Sequence, residues 1–229
     1  IFVEEDIKEE VAFGLNRFKT YLIESGNQTN ITNSMETAQV ILELKDSGSS
    51  DDDSFTITNQ NNVITISSSH KRGVFYGLQD ITEQLKSGGS WKDISGKAVD
   101  AHYKFRAIKF NLPWFSYRSG ENLALHYDTC KDLEFWESFL NMMAENKFNV
   151  LSLWNLHPYM FMVQSEKFPK ARPFSDEEMK EWQSFFKTIF KMAKDRGIET
   201  YIFNWNIFVS KQFGEAYNIG EYSKDSGFW

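Results

Sequence analysis

The sequence predicts an α/β protein in which a small α+β domain precedes a run of alternating strands and helices. Two observations lead to this prediction. From Ile1 to about Leu85, apolar residues recur at helical spacing in two segments and at strand spacing in three segments between them. From Tyr103 the order becomes strand, helix, strand, helix, strand, which is typical of parallel strands joined by right-handed crossovers.

The amino-terminal elements follow from periodicity and turn residues. Val11, Leu15, Phe18 and Leu22 predict a helix, and 38–44 alternates like a strand. The runs 55–58 and 63–67 flank an Asn-rich turn and predict a hairpin, while 73–85 predicts a second helix that ends before Gly88 and Gly89. Since 87–100 has little periodicity, it is predicted to be a connector, and residues 1–100 to form the first domain with its linker.

The second half predicts three strands, at 105–110, 148–154 and 200–204, and two helices. One helix covers 133–146, and the other begins at the capping box Ser175-Asp-Glu-Glu178 and ends at Gly197. Three strands and two helices cannot close an eight-stranded barrel. Residues 101–229 are therefore predicted to be the first part of a (β/α)8 TIM barrel, incomplete in this chain.

The three strands share a pattern at their carboxyl ends, where Asn, Trp and His residues gather. Because these ends converge on one rim of a β/α barrel, amide groups and indole faces there suit a sugar. The predicted substrate-binding residues are Asn111, Trp114, Trp154, Asn155, His157, Asn204, Trp205 and Asn206. For each Trp the alternative is core packing, and for His157 the alternative is ordering of its own loop. The long segment after the first strand, with Arg118 and His126-Tyr-Asp128, is a candidate functional insertion in which Asp128 is expected to cap the next helix.

Composition argues against several other classes of function. The net charge of −7 and the absence of a Lys and Arg cluster argue against nucleic-acid binding. The single cysteine, Cys130, excludes an intrachain disulfide framework and a multi-thiolate metal site. No apolar stretch in the sequence is long enough to span a bilayer. We predict no metal site and no cofactor, and expect an oligosaccharide or glycoside as the partner.

Several segments of the sequence resemble one family of enzymes. Phe105-Arg-Ala-Ile-Lys-Phe-Asn111, Met143 to Leu156 and Met192 to Thr200 resemble the opening of the catalytic barrel of family 20 glycoside hydrolases, the β-N-acetylhexosaminidases. Arg72 to Leu85 is similar to the last helix of the α+β domain ahead of that barrel, and a similar domain precedes the barrel of α-glucuronidases. The resemblance implies an exo-glycosidase in which Arg106, opening the first barrel strand, bonds sugar hydroxyls. Where the family has His-Trp-His-Leu, this chain has Leu153-Trp-Asn-Leu156.

The same resemblance places the catalytic Asp-Glu pair after a fourth barrel strand. Glycosidic cleavage needs a pair of carboxyl groups unless the substrate supplies the nucleophile, and no Asp or Glu ends any of the three strand runs. No catalytic residue is therefore assigned, and the isolated chain is expected to be inactive. Two other hypotheses stay open, a carbohydrate-binding barrel without catalysis and a complete α+β structural module. A periplasmic or secreted location is expected.

Overall fold

The chain divides into two compact units. The computed structural model describes residues 1–45, 52–115, 120–204 and 209–219. The first unit comprises Ile1–Arg106 with Asp195–Gly197, and the second comprises Ala107–Lys194 with Ile198–Trp229. The first contains a five-stranded mixed sheet and the second a three-stranded parallel sheet. Assignment of these units to glycosidase domains stays a prediction.

The first unit is an α+β structure, as predicted. Its elements are β1 (Phe2–Val3), α1 (Lys8–Glu24), β2 (Val40–Leu44), β3 (Phe55–Gln60), β4 (Val63–Ser68), α2 (Lys71–Lys86) and β5 (Lys97–Val99), with short 3-10 helices at Glu5–Ile7 and Met35–Thr37. The strand order is β1-β2-β4-β3-β5, with β3 antiparallel to both its neighbours. The two predicted helices, the strand after the polar loop and the hairpin are confirmed.

The hairpin turn and the helix α2 have clear local causes. Asn61 and Asn62 adopt positive φ angles of 52° and 64°, a conformation that Asn tolerates better than most residues and that favours a tight turn between β3 and β4. Along α2 the stripe predicted from spacing, including Leu78 and Ile81, is completely buried. A Cβ at Gly77 would lie 2.4 Å from Ile66 Cγ2 of β4. Gly77 therefore lets α2 approach the sheet closely.

The structure corrects the predicted connector at 87–100. Residues Lys97–Val99 form β5, which pairs antiparallel with β3 through Phe55 and Val99 and through Ile57 and Lys97. The strand is only three residues long and lies at the sheet edge, so two of its three side chains are exposed and no apolar alternation marks it. Pairing with an existing strand, rather than its own sequence pattern, makes this segment extended.

The second unit alternates strands and helices. Its elements are β6 (Ala107–Asn111), α3 (Glu121–Ala124), α4 (His126–Thr129), α5 (Leu133–Glu145), β7 (Val150–Trp154), α6 (Asp176–Asp195), β8 (Glu199–Phe203) and α7 (Lys211–Tyr217), with 3-10 helices at Pro158–Phe161 and Pro169–Ala171. The sheet order is β6-β7-β8 and both pairings are parallel, as predicted. A closed eight-stranded barrel stays a prediction.

The helices of this unit begin at identifiable caps. At α6 the predicted capping box is confirmed, since Ser175 N–H donates to Glu178 Oε2 at 2.8 Å and Glu178 N–H donates to Ser175 Oγ at 3.2 Å. At α5 the cap is Asp132, whose side chain accepts from Glu134 N–H at 2.9 Å. The expectation that Asp128 caps this helix is wrong, because Asp128 lies one turn earlier in α4.

Candidate functional site

The carboxyl ends of β6, β7 and β8 lie at one edge of the parallel sheet. Asn111 of β6 is the register partner of Trp154 of β7, and Trp154 is the partner of Phe203 of β8, which Asn204 follows directly. The pattern of strand ends seen in the sequence therefore gathers in space, as parallel pairing requires. Trp205, Asn206 and Arg118 lie outside the described residues.

The two faces of this sheet differ in character. Phe110 points toward α5, where its ring centroid lies 5.0 Å from that of Trp136 and 5.4 Å from that of Phe139. Because side chains alternate along a strand, Lys109 and Asn111 lie on the opposite face. We call this the Lys109 face; its residues, in register, are Lys109, Ser152 and Tyr201 in one row and Asn111, Trp154 and Phe203 in the next.

Polar and aromatic groups are mixed on the Lys109 face. Lys109 Nζ lies 5.3 Å from the centroid of a Trp154 ring, within the range of a cation–π contact. Ser152 Oγ is buried and has no hydrogen-bond partner among the described residues. Tyr201 and Phe203 are 43% and 53% exposed. A buried hydroxyl without a partner is costly in an apolar core, so the Lys109 face is unlike an ordinary hydrophobic sheet surface.

Trp114 is part of an aromatic cluster. It is 5% exposed, and its ring centroid lies 4.9 Å from that of Trp182 and 6.2 Å from that of Phe161. The cluster borders a cleft of about 770 Å³ that Phe115, Tyr127 and Asp128 also line. These contacts match the core-packing alternative for Trp114, and its contact with a sugar stays a prediction.

Asn155 connects the loops that follow β6 and β7. Its side chain is completely buried; Nδ2 donates to the backbone carbonyl of Trp114, and Oδ1 accepts from His157 N–H at 2.9 Å. Both ends of the amide are therefore used inside the protein. These two hydrogen bonds hold the backbone of His157 relative to Trp114. Asn155 therefore has a positioning role, in addition to the sugar contact predicted for it.

His157 and Asn204 line a common cleft of about 500 Å³ beyond the ends of β7 and β8. Burial lowers the pKa of His157 from 6.5, so its imidazole is neutral at pH 7 and one ring nitrogen can accept a hydrogen bond. Two residues that the sequence predicted for the site are thus brought together. The other described residues that line this cleft are Tyr159, Met160, Val163, Ser165, Phe168, Ala171, Val209, Ser210 and Phe213.

These additional cleft residues lie away from the strand-end pattern: Tyr159, Met160 and Ala171 are in 3-10 helices, Phe213 is in α7, and the others are in loops. Tyr159 is 50% exposed, whereas Phe168 contacts Phe213 and Tyr217 with ring centroids 5.2 and 5.3 Å apart. Ser210 Oγ caps α7 by accepting from Phe213 N–H at 3.1 Å. The sequence offered one indication of them, a loop after β7 that is unusually rich in aromatic residues and Pro. Only tertiary structure shows which of these residues face the cleft.

The cleft that His157 and Asn204 line has an uncharged described lining. None of the described residues that line it is an Asp, Glu, Lys or Arg. Across the described part of the chain, no three His, Cys, Asp or Glu side chains lie together as a metal-binding group. The described lining therefore offers hydroxyl, amide, imidazole and aromatic groups, which suit a neutral polar ligand, and it does not include the pair of carboxyl groups that glycosidic cleavage needs.

Arg106 takes part in a network within the first unit. Its Nη2 lies 2.5 Å from Asp53 Oδ2 and 3.4 Å from Tyr76 Oη, and its guanidinium carbon lies 5.6 Å from the Tyr76 ring centroid. Asp53 is only 3% exposed and also accepts from Arg72 Nε at 2.8 Å. The guanidinium group of Arg106 is thus bound to a buried carboxylate, and its contact with sugar hydroxyls stays a prediction.

Comparison with known proteins gives structural relatives only. No family profile matches the chain, and no curated protein matches it. Among solved structures, a family 138 glycoside hydrolase, described as an enzyme targeting pectin rhamnogalacturonan II, aligns with a TM-score of 0.81 and 24% identity over 96% of this chain and 26% of that one. A Flavobacterium johnsoniae chitobiase of family 20 aligns with a TM-score of 0.58 and 17% identity, over 88% of this chain and 30% of the chitobiase chain.

A third relative was solved with a sugar bound. The mutant Streptomyces plicatus β-hexosaminidase in complex with its product GlcNAc aligns with a TM-score of 0.55 and 15% identity over 88% of this chain and 40% of that one. The chain thus spans between about a quarter and two fifths of the length of these enzymes. Its fold is similar to amino-terminal regions of glycoside hydrolases of families 138 and 20.

Among the described residues, no helix is both long and apolar enough to cross a membrane.

Proposed function

We propose that this chain is the amino-terminal part of a glycoside hydrolase, in which the second unit begins a (β/α)8 barrel and supplies part of its sugar-binding site. The observation that carries the proposal is the cleft lined by His157 and Asn204 beyond the carboxyl ends of parallel strands. Ligands of β/α barrels bind at that end of the strands. The likeness of the fold to glycoside hydrolases supports the same conclusion.

In this proposal the cleft binds a sugar unit of the substrate. The catalytic carboxyl groups come from residues outside the described lining of the cleft. The neutral His157 ring accepts a hydrogen bond from a sugar hydroxyl, and the Asn204 amide donates to and accepts from neighbouring hydroxyls. Tyr159 and Phe168 offer aromatic surface to the apolar face of a sugar ring. The role of the cleft in this proposal is to orient a glycoside. Because its described lining has no carboxylate, cleavage needs a pair of carboxyl groups outside these residues.

Three classes of substrate are candidates for the whole protein. The resemblance to β-N-acetylhexosaminidases suggests a terminal amino sugar, and one structural relative holds GlcNAc. The higher TM-score and coverage of the pectin-targeting enzyme favour an oligosaccharide of rhamnogalacturonan II. An α-linked uronic acid, as expected for an α-glucuronidase-like enzyme, and a barrel that binds without cleaving are the further alternatives.

Hydrolysis by the full-length protein tests this proposal. Release of sugar is measured from aryl β-N-acetylhexosaminides, aryl α-uronides and rhamnogalacturonan II oligosaccharides. On the substrate that is cleaved, His157→Ala and Asn204→Ala should each lower kcat/KM by about tenfold, the effect of losing one hydrogen bond to the ligand. His102→Ala, which changes an exposed histidine of the first unit, serves as the matched control. Folded protein that cleaves none of these substrates would contradict the proposal.

A further inference from the structure

The first unit contains a cleft of its own, of about 580 Å³. It lies between the polar loop after α1, the start of β2, the turn between β3 and β4, and the segment that follows α2. Its lining residues include Asn30, Gln39, Asn62, Trp91 and Lys92. All of them belong to the first unit, and none of them is among the residues that line the cleft of His157 and Asn204.

Trp91 is held in place at this cleft. The side-chain amide of Asn59 donates to the backbone carbonyls of Trp91 at 3.1 Å and of Ile94 at 3.0 Å. The indole packs edge-on against Phe18 of α1, with ring centroids 6.2 Å apart and planes at 76°. The Trp91 side chain is only half-buried although Phe18 beneath it is completely buried. With its backbone held by Asn59 and its ring packed on Phe18, the indole is a partly preorganised stacking surface, which lowers the entropic cost of binding.

Side-chain amides surround this ring. No hydrogen bond within the described part of the chain uses the amide groups of Gln28, Asn30, Gln39 or Asn62, and all four residues are exposed. Each amide offers two donors and an acceptor, which matches the paired donor and acceptor character of a sugar hydroxyl. An aromatic platform with several uncommitted amides beside it is the composition expected for a carbohydrate site.

The charge around the cleft narrows the class of ligand. Among the described lining residues no side chain is acidic, and Lys92 is the one basic side chain. The α-ammonium group of Ile1, which also lines the cleft, donates to the carbonyl of Asn30 at 2.8 Å. The cations of the described lining are thus Lys92 and an ammonium group bonded to Asn30, and no arginine fork, the group that binds carboxylates in a bidentate geometry, is among the described lining residues.

We propose that the cleft at Trp91 is an accessory binding site for a neutral oligosaccharide, with one sugar ring stacked on the indole and its hydroxyls bonded by Asn30 and Gln39. The site lies in the first unit and takes no part in cleavage. This role rests on the proposed function with a neutral substrate: the site holds the polymer on the protein while the second unit acts on its chain end.

Calorimetric titration of the full-length protein tests this proposal with four neutral probes, cellohexaose, xylohexaose, chitohexaose and arabinohexaose, and with hexagalacturonate as the anionic probe. At least one neutral probe is expected to bind, and Trp91→Ala should weaken it by tenfold or more. The double variant Asn30→Ala/Gln39→Ala changes only exposed side chains and should weaken binding similarly. Asn16→Ala, an exposed amide on α1, and Tyr103→Ala, an exposed aromatic residue of the same unit, should leave binding unchanged.

Two results would overturn the accessory site. One is the absence of saturable binding of every neutral probe; the other is binding that, in a His157→Ala/Asn204→Ala background without the second unit's sugar contacts, survives both the Trp91 variant and the double variant. Tighter binding of hexagalacturonate that Lys92→Ala abolishes would also contradict a neutral ligand. Because His157→Ala should leave this affinity unchanged while it lowers hydrolysis, failure of the accessory site and failure of the proposed hydrolase are distinguishable.

Discussion

Asp53 is a buried acidic residue of the first unit that contacts three basic side chains. Its buried carboxylate contacts Arg72 Nε at 2.8 Å, Arg106 Nη2 at 2.5 Å and His70 Nδ1 at 3.4 Å. Arg72 is also buried, so neither charge is well solvated. Such a network is sustained by mutual pairing, and removal of one member leaves uncompensated charges in a medium of low polarity.

Asp53→Asn should therefore destabilise the protein by about 3–5 kcal/mol, the usual cost of breaking a buried ion pair. Urea unfolding measures this change in the free energy of unfolding. Glu83→Gln removes an exposed pair with Lys86, in which Nζ lies 3.2 Å from Oε1, and should cost less than about 1 kcal/mol. Equal effects of the two substitutions would contradict the role assigned to Asp53.

His157 makes stability depend on pH. Burial lowers its pKa below 6.5 in the folded protein, so the unfolded chain binds a proton more readily between the folded and unfolded pKa values. The free energy of unfolding should accordingly decrease as the pH falls through and below 6.5, while the full contribution is present above it. In His157→Gln this part of the decrease should be absent, as measured by urea unfolding between pH 5 and 8. An unchanged pH profile in the variant would be inconsistent with a half-buried, neutral imidazole at this position.

At the scale of elements, α2 shows why close packing outweighs helix propensity. Replacing Gly by Ala in a helix interior is favourable by about 1 kcal/mol when space allows. At Gly77 a Cβ would lie 2.4 Å from Ile66 Cγ2 and 3.1 Å from Phe55 Cδ2, which are side chains of the central strands. The helix would have to move away from the sheet to accommodate it.

Gly77→Ala should consequently lower stability by about 1–3 kcal/mol, the typical cost of overpacking. Thermal unfolding by circular dichroism gives the comparison with Thr20→Ala, which introduces the same residue on the exposed face of α1. The control should be neutral or slightly stabilising. A more stable Gly77→Ala protein would show that α2 does not need this close approach.

Elements differed in how far the sequence alone could define them. The start of α6 was predictable because both members of its capping box are local, whereas β5 was not, since only its partner β3 makes it extended. The same contrast holds for the site. The positions of His157 and Asn204 beside the cleft could be predicted because both follow strands, whereas Phe168 of a loop and Phe213 of α7 reach the cleft through tertiary packing that the sequence only hints at.

At the scale of the whole molecule, the two units contribute different chemistry. The first offers a cleft of amides around a fixed indole, and the second a cleft that opens beyond parallel strand ends. Neither cleft has a carboxylate among its described lining residues. Both proposals assign a neutral hydroxylated ligand to these clefts, and in the proposed enzyme bond cleavage belongs to acidic groups outside them.

The most direct test of the proposed function is a crystal structure of the full-length protein with the sugar released from its substrate. The sugar should lie in the cleft beyond β7 and β8, within hydrogen-bond distance of His157 and Asn204, with a ring face against Tyr159 or Phe168. A product bound at full occupancy in an active site that excludes this cleft would contradict the sugar-binding role of the second unit.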